Sequence, residues 1–275
     1  MTAPLAGRRA IVVGGGSGLG LAGARLLARD GATVTLAGRT AATLEAAREG
    51  LAGEGLEVGT VVCDAMDAGS VRAAVAAAAD DEGALHIAVV VPGTARTSSV
   101  LLYGDDDFSA DVDGNVRPVF LLLKYAGQAM LRAGGGSFVA ISSTAAAFSA
   151  RYLAGYSAGK AAVDQLVRVA ADELGRYGVR VNSVRPGMTR TPSTARSFAN
   201  EPLMAAFLAE QPIARHGEPD DVAAAIRYFA GPESSWTTGQ LLAVDGGNTL
   251  RSFVDYEGLV PLADPRDVIL GGGPA

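Results

Sequence analysis

The chain has 275 residues, of which 49% are hydrophobic and 19% charged, and its formal net charge is −6. This length fits one large α/β domain, and an acidic balance without a basic run argues against nucleic acid as the main partner. The single Cys63 excludes a disulfide framework and a cysteine-based zinc site, and it is typical of a reducing cytosol. No apolar run approaches the roughly 18 residues of a membrane span, so we expect a cytoplasmic protein.

Short apolar runs alternate along the chain with helix-length, alanine-rich amphipathic stretches. The alternation predicts a parallel sheet, and because the runs are continuously apolar, helices should cover both of its faces. The predicted strands are Arg9–Val13, Thr33–Ala37, Glu57–Val62, His86–Val91, Ser137–Ile141, Val179–Val184 and Leu241–Val244. The predicted helices are Gly18–Asp30, Ala41–Leu51, Ala68–Asp80, Asp106–Arg132, Leu153–Tyr177, Leu203–Glu210 and Asp220–Ala230. Pro118 is expected to kink or reset the helix in which it lies.

Two segments lie outside this alternation. Residues 186–217 are rich in Pro, Thr, Ser and Arg, a composition that is typical of a loop or lid. We predict a single doubly wound α/β domain of about seven strands over residues 1–247 and a C-terminal extension over residues 248–275. The extension carries Phe253, Tyr256, Leu259 and Val260, so we expect it to pack across the mouth of the site or against a neighbouring subunit.

A glycine-rich loop, Gly14-Gly15-Gly16-Ser17-Gly18-Leu19-Gly20, joins the first predicted strand directly to the first helix. Residues without a Cβ allow a tight turn and let backbone N–H groups approach a pyrophosphate, while the helix N-terminus adds partial positive charge. The alternative is that the glycines serve only packing. Since no Walker-type Gly-Lys-Ser/Thr is present, the loop predicts a Rossmann-type dinucleotide site and gives no support for nucleotide triphosphate hydrolysis.

The end of the second predicted strand indicates which dinucleotide is bound. An acidic residue about 20 residues after the glycine loop would hold the adenosine ribose hydroxyls of NAD. Gly38 stands there instead and is followed by Arg39. Because a guanidinium binds phosphate through a fork of donors, we predict NADP(H) over NAD(H). The alternative is that Arg39 is only a solvated surface charge.

Tyr156 and Lys160 are four residues apart in a predicted helix and therefore share one face. A tyrosine has a pKa of about 10 in water, and a neighbouring ammonium lowers that pKa by stabilising the phenolate. With seven Tyr in the chain such a pair could arise by chance. However, Ser142-Ser143 ends the fifth strand, at the sheet edge where parallel sheets bind ligands. Together these residues predict a site that polarises a carbonyl beside a hydride donor.

Further motifs follow in order: Asn115 in the fourth helix, Pro186-Gly187-x-x-x-Thr191 after the sixth strand and Val244-Asp245-Gly246-Gly247 after the seventh. With Gly14-x-x-x-Gly18-x-Gly20, Ser143 and Tyr156-x-x-x-Lys160, this set resembles the short-chain dehydrogenase/reductase family over about residues 5–247. The resemblance implies an NADP-preferring oxidoreductase that interconverts a ketone and a secondary alcohol. It also implies a homotetramer with one interface formed by the helices Asp106–Arg132 and Leu153–Tyr177.

The resemblance implies a role for each matching residue. Tyr156 would be the general acid in reduction and the general base in oxidation, and Lys160 would lower its pKa and bind the nicotinamide ribose. Ser143, rather than Ser142, would hydrogen-bond the substrate oxygen, and Asn115 would anchor a proton-relay water. Asp64 would contact the adenine ring, and Thr191 with the backbone near Thr189 would hold the carboxamide. The implied cofactor site comprises Gly14, Gly16, Ser17, Gly18, Leu19, Gly20, Arg39, Asp64, Gly93, Tyr156, Lys160, Pro186, Gly187, Thr189 and Thr191.

Other interpretations of these residues stay open. Asn115 could simply bridge backbone near Pro118, and Asp64 could cap the following turn. Where the family carries Asn-Asn-Ala-Gly, this chain has Val90-Val91-Pro92-Gly93, a departure that bears on the local geometry. A catalytically silent dinucleotide sensor on the same fold is therefore the main alternative. An epimerase or dehydratase of the extended branch is disfavoured, since the chain lacks a long C-terminal substrate domain.

The lid indicates the kind of substrate. Apolar side chains in and near it would form a wall that favours a hydrophobic or acyl-like molecule, although a lid packed on its own core would show the same residues. The candidate wall residues are Phe148, Met188, Phe198, Leu203 and Phe207.

Overall fold

A computed structural model of the chain describes residues 3–271. Its seven strands form one parallel sheet in the order β3-β2-β1-β4-β5-β6-β7, so the winding direction reverses between β1 and β4. The predicted doubly wound α/β fold is confirmed. The strands are β1 Arg9–Val13, β2 Thr33–Gly38, β3 Val58–Val62, β4 Ile87–Val90, β5 Gly136–Ile141, β6 Val179–Pro186 and β7 Leu241–Val244.

Helices cover both faces of this sheet. Helices α1, α2 and α8 pack on one face, and α3, α4 and α5 pack on the other. The short helices α6 and α7 lie within the predicted lid, and α9 lies in the C-terminal extension. The helices are α1 Gly18–Arg29, α2 Ala41–Gly53, α3 Ala68–Ala78, α4 Asp105–Arg132, α5 Ala154–Gly175, α6 Ala195–Phe198, α7 Glu201–Ala209, α8 Pro219–Ala230 and α9 Pro265–Leu270.

The continuous apolar strands explain why both faces are covered. Successive side chains of a strand point to opposite sides of the sheet. Ile11 and Val13 of β1 accordingly belong to one hydrophobic cluster, while Ala10 and Val12 belong to the other, and all four are at most 1% exposed. A strand of this kind can only lie at the centre of a sheet between two helical layers.

Helix α4 runs through Pro118 without interruption, so the proline does not reset the helix. Proline removes one backbone hydrogen bond and ordinarily kinks a helix. Here Val119, Leu122 and Ala126 are buried on the face that meets the sheet and α5, so packing along the whole length outweighs the missing bond. The uninterrupted helix carries Asn115 to the carboxyl edge of the sheet.

The carboxyl ends of β1, β4, β5 and β6 meet at one edge of the sheet. The glycine loop, residues 91–104, the Ser142-Ser143 turn and the segment after Pro186 all begin there. Ligands bind at this kind of edge in open parallel sheets, at the point where the strand order reverses. Between residues 3 and 271, no helix has both the length and the apolarity that a membrane crossing requires.

Candidate active site

The glycine loop wraps the N-terminus of α1 against the carboxyl end of β1. The N-cap residue Ser17 makes no side-chain capping bond, so the first N–H groups of α1 stay available to a ligand. A Cβ at Gly20 would lie 2.2 Å from the carbonyl oxygen of Gly14, and this close approach explains why only glycine fits there. Gly14, Ser17, Gly18 and Leu19 line a cleft of about 590 Å³. Such a cradle fits the pyrophosphate of a dinucleotide.

Lys160 lies at the floor of this cleft, on the second turn of α5. Its side chain is buried, and Nζ donates to the carbonyl oxygen of Ile141 at 2.9 Å. Ser142 contributes a second tie, since its hydroxyl donates to the carbonyl oxygen of Lys160 at 3.3 Å. Burial lowers the pKa of Lys160 to about 8, and the buried carboxylate of Asp164 opposes this shift. The ammonium is thus held in place at the end of β5.

Tyr156 lies one turn before Lys160 and lines the same cleft. Its ring centroid is 5.7 Å from the Lys160 Nζ. Burial raises the pKa of Tyr156 above its usual value, and the neighbouring Ser143 hydroxyl opposes the shift. In the free protein the pKa of Tyr156 is therefore raised, opposite to the direction predicted from Lys160, because desolvation of the phenolate is the largest effect.

Ser143 is fixed by its own backbone turn. Its Oγ accepts from the backbone N–H of Ala145 at 3.1 Å, which leaves the hydroxyl proton free to be donated. Ser143 lines the cleft together with Tyr156. The structure therefore brings the predicted serine, tyrosine and lysine together at the carboxyl end of β5.

Asn115 is fully buried in α4 beside this group. Its Nδ2 donates to the carbonyl oxygens of Thr94 at 2.8 Å and Asp111 at 2.7 Å. Among residues 3–271 no donor reaches its Oδ1. A Cβ at Gly93 would lie 2.5 Å from that oxygen and 2.9 Å from Lys160 Nζ, so glycine is required where β4 ends. Asn115 therefore bridges backbone groups, as the alternative interpretation of this residue expects. It also keeps one unpaired buried acceptor, Oδ1, beside Lys160.

The departure at Val90-Val91-Pro92-Gly93 leaves the strand connection intact. The backbone N–H of Val91 donates to the carbonyl oxygen of Val13 at 3.0 Å, which ties the end of β4 to β1 without an asparagine side chain. The backbone at Gly93 then lies directly beside the Asn115 and Lys160 side chains. The backbone thus supplies the link between the two central strands.

A buried carboxylate that the sequence analysis missed organises the loop after β4. Asp111 is 2% exposed, and its oxygens accept from the hydroxyl of Tyr103 at 2.6 Å and from the backbone N–H of Arg96 at 3.1 Å. The hydroxyl of Thr94 and the guanidinium of Arg96 approach it at 3.2 and 3.4 Å. An acidic residue one turn before Asn115, on the buried face of α4, was the available signal.

The segment after β6 closes the other side of the cleft. Pro186, Gly187, Thr189 and Thr191 all line it, as predicted for the cofactor site. The N–H and hydroxyl of Thr191 are ordered by Thr194 in a capping box, and a Cβ at Gly18 would lie 3.3 Å from the Cβ of Thr191. This threonine therefore lies directly over the glycine loop.

Four of the predicted cofactor residues lie outside this cleft lining: Gly16, Gly20, Arg39 and Asp64. Arg39 is exposed at the carboxyl end of β2, and within residues 3–271 it forms no salt bridge. Asp64 is exposed after β3, where its carboxylate accepts from the backbone N–H of Met66 at 2.9 Å. Asp64 thus caps a turn, as the alternative interpretation expects. Gly16 packs against Thr43 at the start of α2, on the side of the loop toward Arg39.

The substrate end of the cleft is apolar and partly aromatic. Of the five predicted wall residues, Met188 and Phe207 line the cleft. Leu203 is buried in the core of the lid, Phe198 contacts His216 edge to face, and Phe148 packs against Phe253. The cleft is also lined by Leu153, just before α5, and by Phe253 and Tyr256 of the C-terminal extension.

Comparison with known proteins identifies the class. A family model described as enoyl-(acyl carrier protein) reductase matches residues 14–249. The chain is 34% identical over 246 residues to gluconate 5-dehydrogenase of Gluconobacter oxydans, a match that covers 90% of this chain and 96% of that protein. This chain belongs to the short-chain dehydrogenase/reductase family of oxidoreductases.

Two solved structures extend the comparison. A short-chain type dehydrogenase/reductase from Mycobacterium ulcerans superposes with a TM-score of 0.89 at 35% identity, over 93% of this chain and 94% of that one. A protein from Beutenbergia cavernae, described as an NAD(P)-dependent gluconate 5-dehydrogenase, was solved with NADP bound at low occupancy. It superposes with a TM-score of 0.84 at 32% identity, over 91% of this chain and 100% of that one.

Proposed function

We propose that this protein is an NADP(H)-dependent oxidoreductase that interconverts a ketone and a secondary alcohol. One observation carries the proposal: Ser143, Tyr156 and Lys160 lie together along a cleft whose opposite end is the glycine loop at the N-terminus of α1. A nicotinamide dinucleotide bound along this cleft supplies or accepts the hydride. Side chains of this protein transfer the proton and bind the substrate oxygen.

Tyr156 is the proposed general acid in reduction. Because burial raises its pKa, the phenol keeps its proton at neutral pH and can donate it to the oxygen that becomes the alcohol. Ser143, fixed by the Ala145 N–H, donates a hydrogen bond to the same oxygen and orients the carbonyl. In the oxidative direction Tyr156 must lose its proton, and the positive charge of Lys160 favours the phenolate.

Asn115 and Lys160 are the proposed route by which Tyr156 regains its proton. The unpaired Oδ1 of Asn115 is a buried acceptor beside the Lys160 amine, and such a group is ordinarily satisfied by water. A water held there would connect the amine to bulk solvent. Lys160 would also bind the ribose hydroxyls of the dinucleotide at the floor of the cleft.

NADP(H) is the proposed cofactor, with NAD(H) as the competing choice. Arg39 is exposed at the end of β2, and its guanidinium is free of carboxylate partners within the described chain, so it can pair with a 2′-phosphate. The structural neighbour from Beutenbergia cavernae, which was solved with NADP, supports this preference.

The proposed substrate is hydrophobic or acyl-like, because the cleft beyond Tyr156 is lined by Leu153, Met188 and Phe207. The experiment is a panel of ketones, 2,3-butanedione included, assayed for NADPH oxidation with wild type, Tyr156→Phe and the control Tyr177→Phe. Tyr177 is 44% exposed beyond the end of α5, so its variant should behave as wild type. We expect Tyr156→Phe to lose at least about 1000-fold in kcat. NADPH binding without turnover of any ketone would instead indicate a dinucleotide sensor.

We also propose that the chain assembles as a homotetramer. Helices α4 and α5 expose large apolar side chains, with Phe120 49% and Val169 45% accessible in the single chain, and such side chains are typical of a buried subunit interface. Light scattering should give about four times the mass of one chain, and a monomer at micromolar concentration would contradict the proposal.

A further inference from the structure

The substrate end of the cleft is enclosed by an aromatic cage, which we define as Phe207 of α7 with Phe253 and Tyr256 of the C-terminal extension. The ring centroids of Phe207 lie 6.0 Å from Phe253 and 6.3 Å from Tyr256, and those of Phe253 and Tyr256 are 6.3 Å apart. All three side chains line the cleft that contains Tyr156. Rings at these spacings are in contact with one another, so together they present an apolar aromatic surface to the cleft on which a substrate ring can pack.

The cleft offers almost no charge to a substrate. Among its described lining residues, Lys160 is the only one with a charged side chain, and its ammonium is engaged by the Ile141 carbonyl at 2.9 Å. Beside the lid, Arg190 lies over the ring of Phe198 and pairs with Glu218. A carboxylate in the cage would therefore be desolvated without a counter-charge, which is strongly unfavourable.

The extension is held over the cleft by polar contacts on both sides. Arg151, just before α5, forms salt bridges with Asp255 and with Glu257, the latter at 2.7 Å. On the lid side, Nδ2 of Asn200 donates to the carbonyl oxygen of Leu259 at 2.7 Å. These contacts flank Tyr256 and tie its segment to the residues before α5 and to the lid.

Tyr256 also brings a hydrogen-bond donor to this apolar end. Its hydroxyl has no hydrogen-bond partner within residues 3–271. Burial and the nearby phenol of Tyr156 raise its pKa to about 12, so it keeps its proton in the neutral range. A donor of this kind suits an uncharged acceptor on the substrate, such as a carbonyl or an ether oxygen.

We infer that the substrate is a neutral ketone whose carbonyl carbon is part of a ring, and that Phe253 and Tyr256 determine this specificity. The rings of Phe207 and Phe253 pack on the substrate ring, and Tyr256 donates to an uncharged oxygen substituent. The inference rests on the proposed function and narrows it. It also distinguishes the substrate of this chain from that of its relative gluconate 5-dehydrogenase, because the carboxylate of gluconate would have no partner in the cage.

Three ketones test the substrate class: ethyl 4-oxocyclohexanecarboxylate, its free acid, and the acyclic ethyl 5-oxohexanoate. With NADPH and wild-type enzyme we expect kcat/KM for the ring ester to exceed that of the acid by at least about 100-fold. The ring ester should exceed the acyclic ester by about tenfold. Reduction of the acid as fast as the ring ester, or of the acyclic ester as fast as the ring ester, overturns the inference.

Two variants assign the specificity to the extension. Phe253→Leu keeps an apolar side chain without a ring, so the ratio of kcat/KM for ring ester to acyclic ester should fall about tenfold. Tyr256→Phe removes only the hydroxyl, so KM for the ring ester should rise about fivefold or more, whereas the exposed control Tyr177→Phe should not change it. An unchanged ratio and an unchanged KM would contradict the assignment.

Reduction of 2,3-butanedione separates failure of this inference from failure of the proposed function. This small diketone needs no cage, so its reduction depends only on the catalytic group. If it is reduced while the ring ester has no advantage, the cage inference fails and the oxidoreductase proposal stands. If neither compound is reduced and NADPH is not consumed, the proposed function fails and the inference fails with it.

Discussion

The buried carboxylate of Asp111 offers a sharp test of how the site is supported. It lies on α4 one turn before Asn115 and holds the loop after β4, whose first residues line the cleft. The change Asp111→Ala removes the acceptor from Tyr103, Thr94 and the backbone N–H of Arg96 together. The loop then loses its anchor, and Thr94 no longer has a fixed place beside Asn115.

The size of the effect follows from the four contacts. Hydrogen bonds to a charged group contribute about 1.5–3 kcal/mol each. Tyr103 is only partly buried and the Arg96 side chain is 49% exposed, so both can regain water when the carboxylate is lost. The backbone N–H of Arg96 and the hydroxyl of Thr94 have less access. We therefore expect Asp111→Ala to lower the free energy of unfolding by about 3–5 kcal/mol, and Asp111→Asn by about half of that, since it keeps the shape and one acceptor oxygen.

Thermal unfolding and steady-state kinetics measure the two consequences. A loss of this size should lower Tm by roughly 10 °C, and kcat for NADPH-dependent ketone reduction should fall in both variants, less in Asp111→Asn. Asp113→Ala is the matched control, because Asp113 lies on the same helix but is exposed. If Asp111→Ala behaved like Asp113→Ala in Tm and kcat, the carboxylate would not support the site and this reasoning would be refuted.

Two further predictions concern single charges. Arg39→Ala should raise Kd for NADPH about tenfold, with little change in Kd for NADH, because it removes a guanidinium–phosphate pair; fluorescence titration measures both, and equal changes would show that Arg39 does not recognise the 2′-phosphate. Lys160→Met should abolish turnover yet stabilise the fold at pH 7. The folded-state pKa is lowered from 10.5 to about 8, so the charged amine carries its full penalty below pH 8, and that penalty disappears as pH rises toward 10.5. After allowing for the lost bond to Ile141, we expect a gain of about 2 kcal/mol at pH 7 that vanishes by pH 10 in urea unfolding; a gain that does not depend on pH would contradict the burial argument.

The sequence was most informative where structure depends on local pattern. Continuous β-branched and apolar runs predicted the strands, and the bounds of β1 and β7 agree residue for residue. The proposed catalytic group could be picked out because each member follows a strand end or occupies a helix position at fixed spacing. The sheet then brings Ser143, Tyr156 and Lys160 together, since carboxyl ends of parallel strands share one edge.

The features that were missed depend on contacts between distant segments. Pro118 is tolerated in α4 because buried neighbours hold the helix against the sheet and α5, which no local pattern reports. The pKa direction of Tyr156 depends on how much water the folded cleft excludes, and it came out opposite to the prediction. Asp111 finds its donors in a loop 8–17 residues earlier, so its role emerges only after folding.

The most direct test of the central claim measures hydride transfer from NADPH to a ketone, with and without the Tyr156 hydroxyl. NADPH carrying deuterium on the transferred face of C4 is mixed with a ketone, and the alcohol is analysed by mass spectrometry. The account predicts one deuterium on the carbinol carbon with wild-type protein. It predicts no detectable labelled alcohol on the same timescale with Tyr156→Phe, although that variant still binds NADPH. Labelled alcohol formed equally fast by Tyr156→Phe would contradict the account. So would alcohol that carries no deuterium whichever of the two faces of C4 of NADPH is labelled.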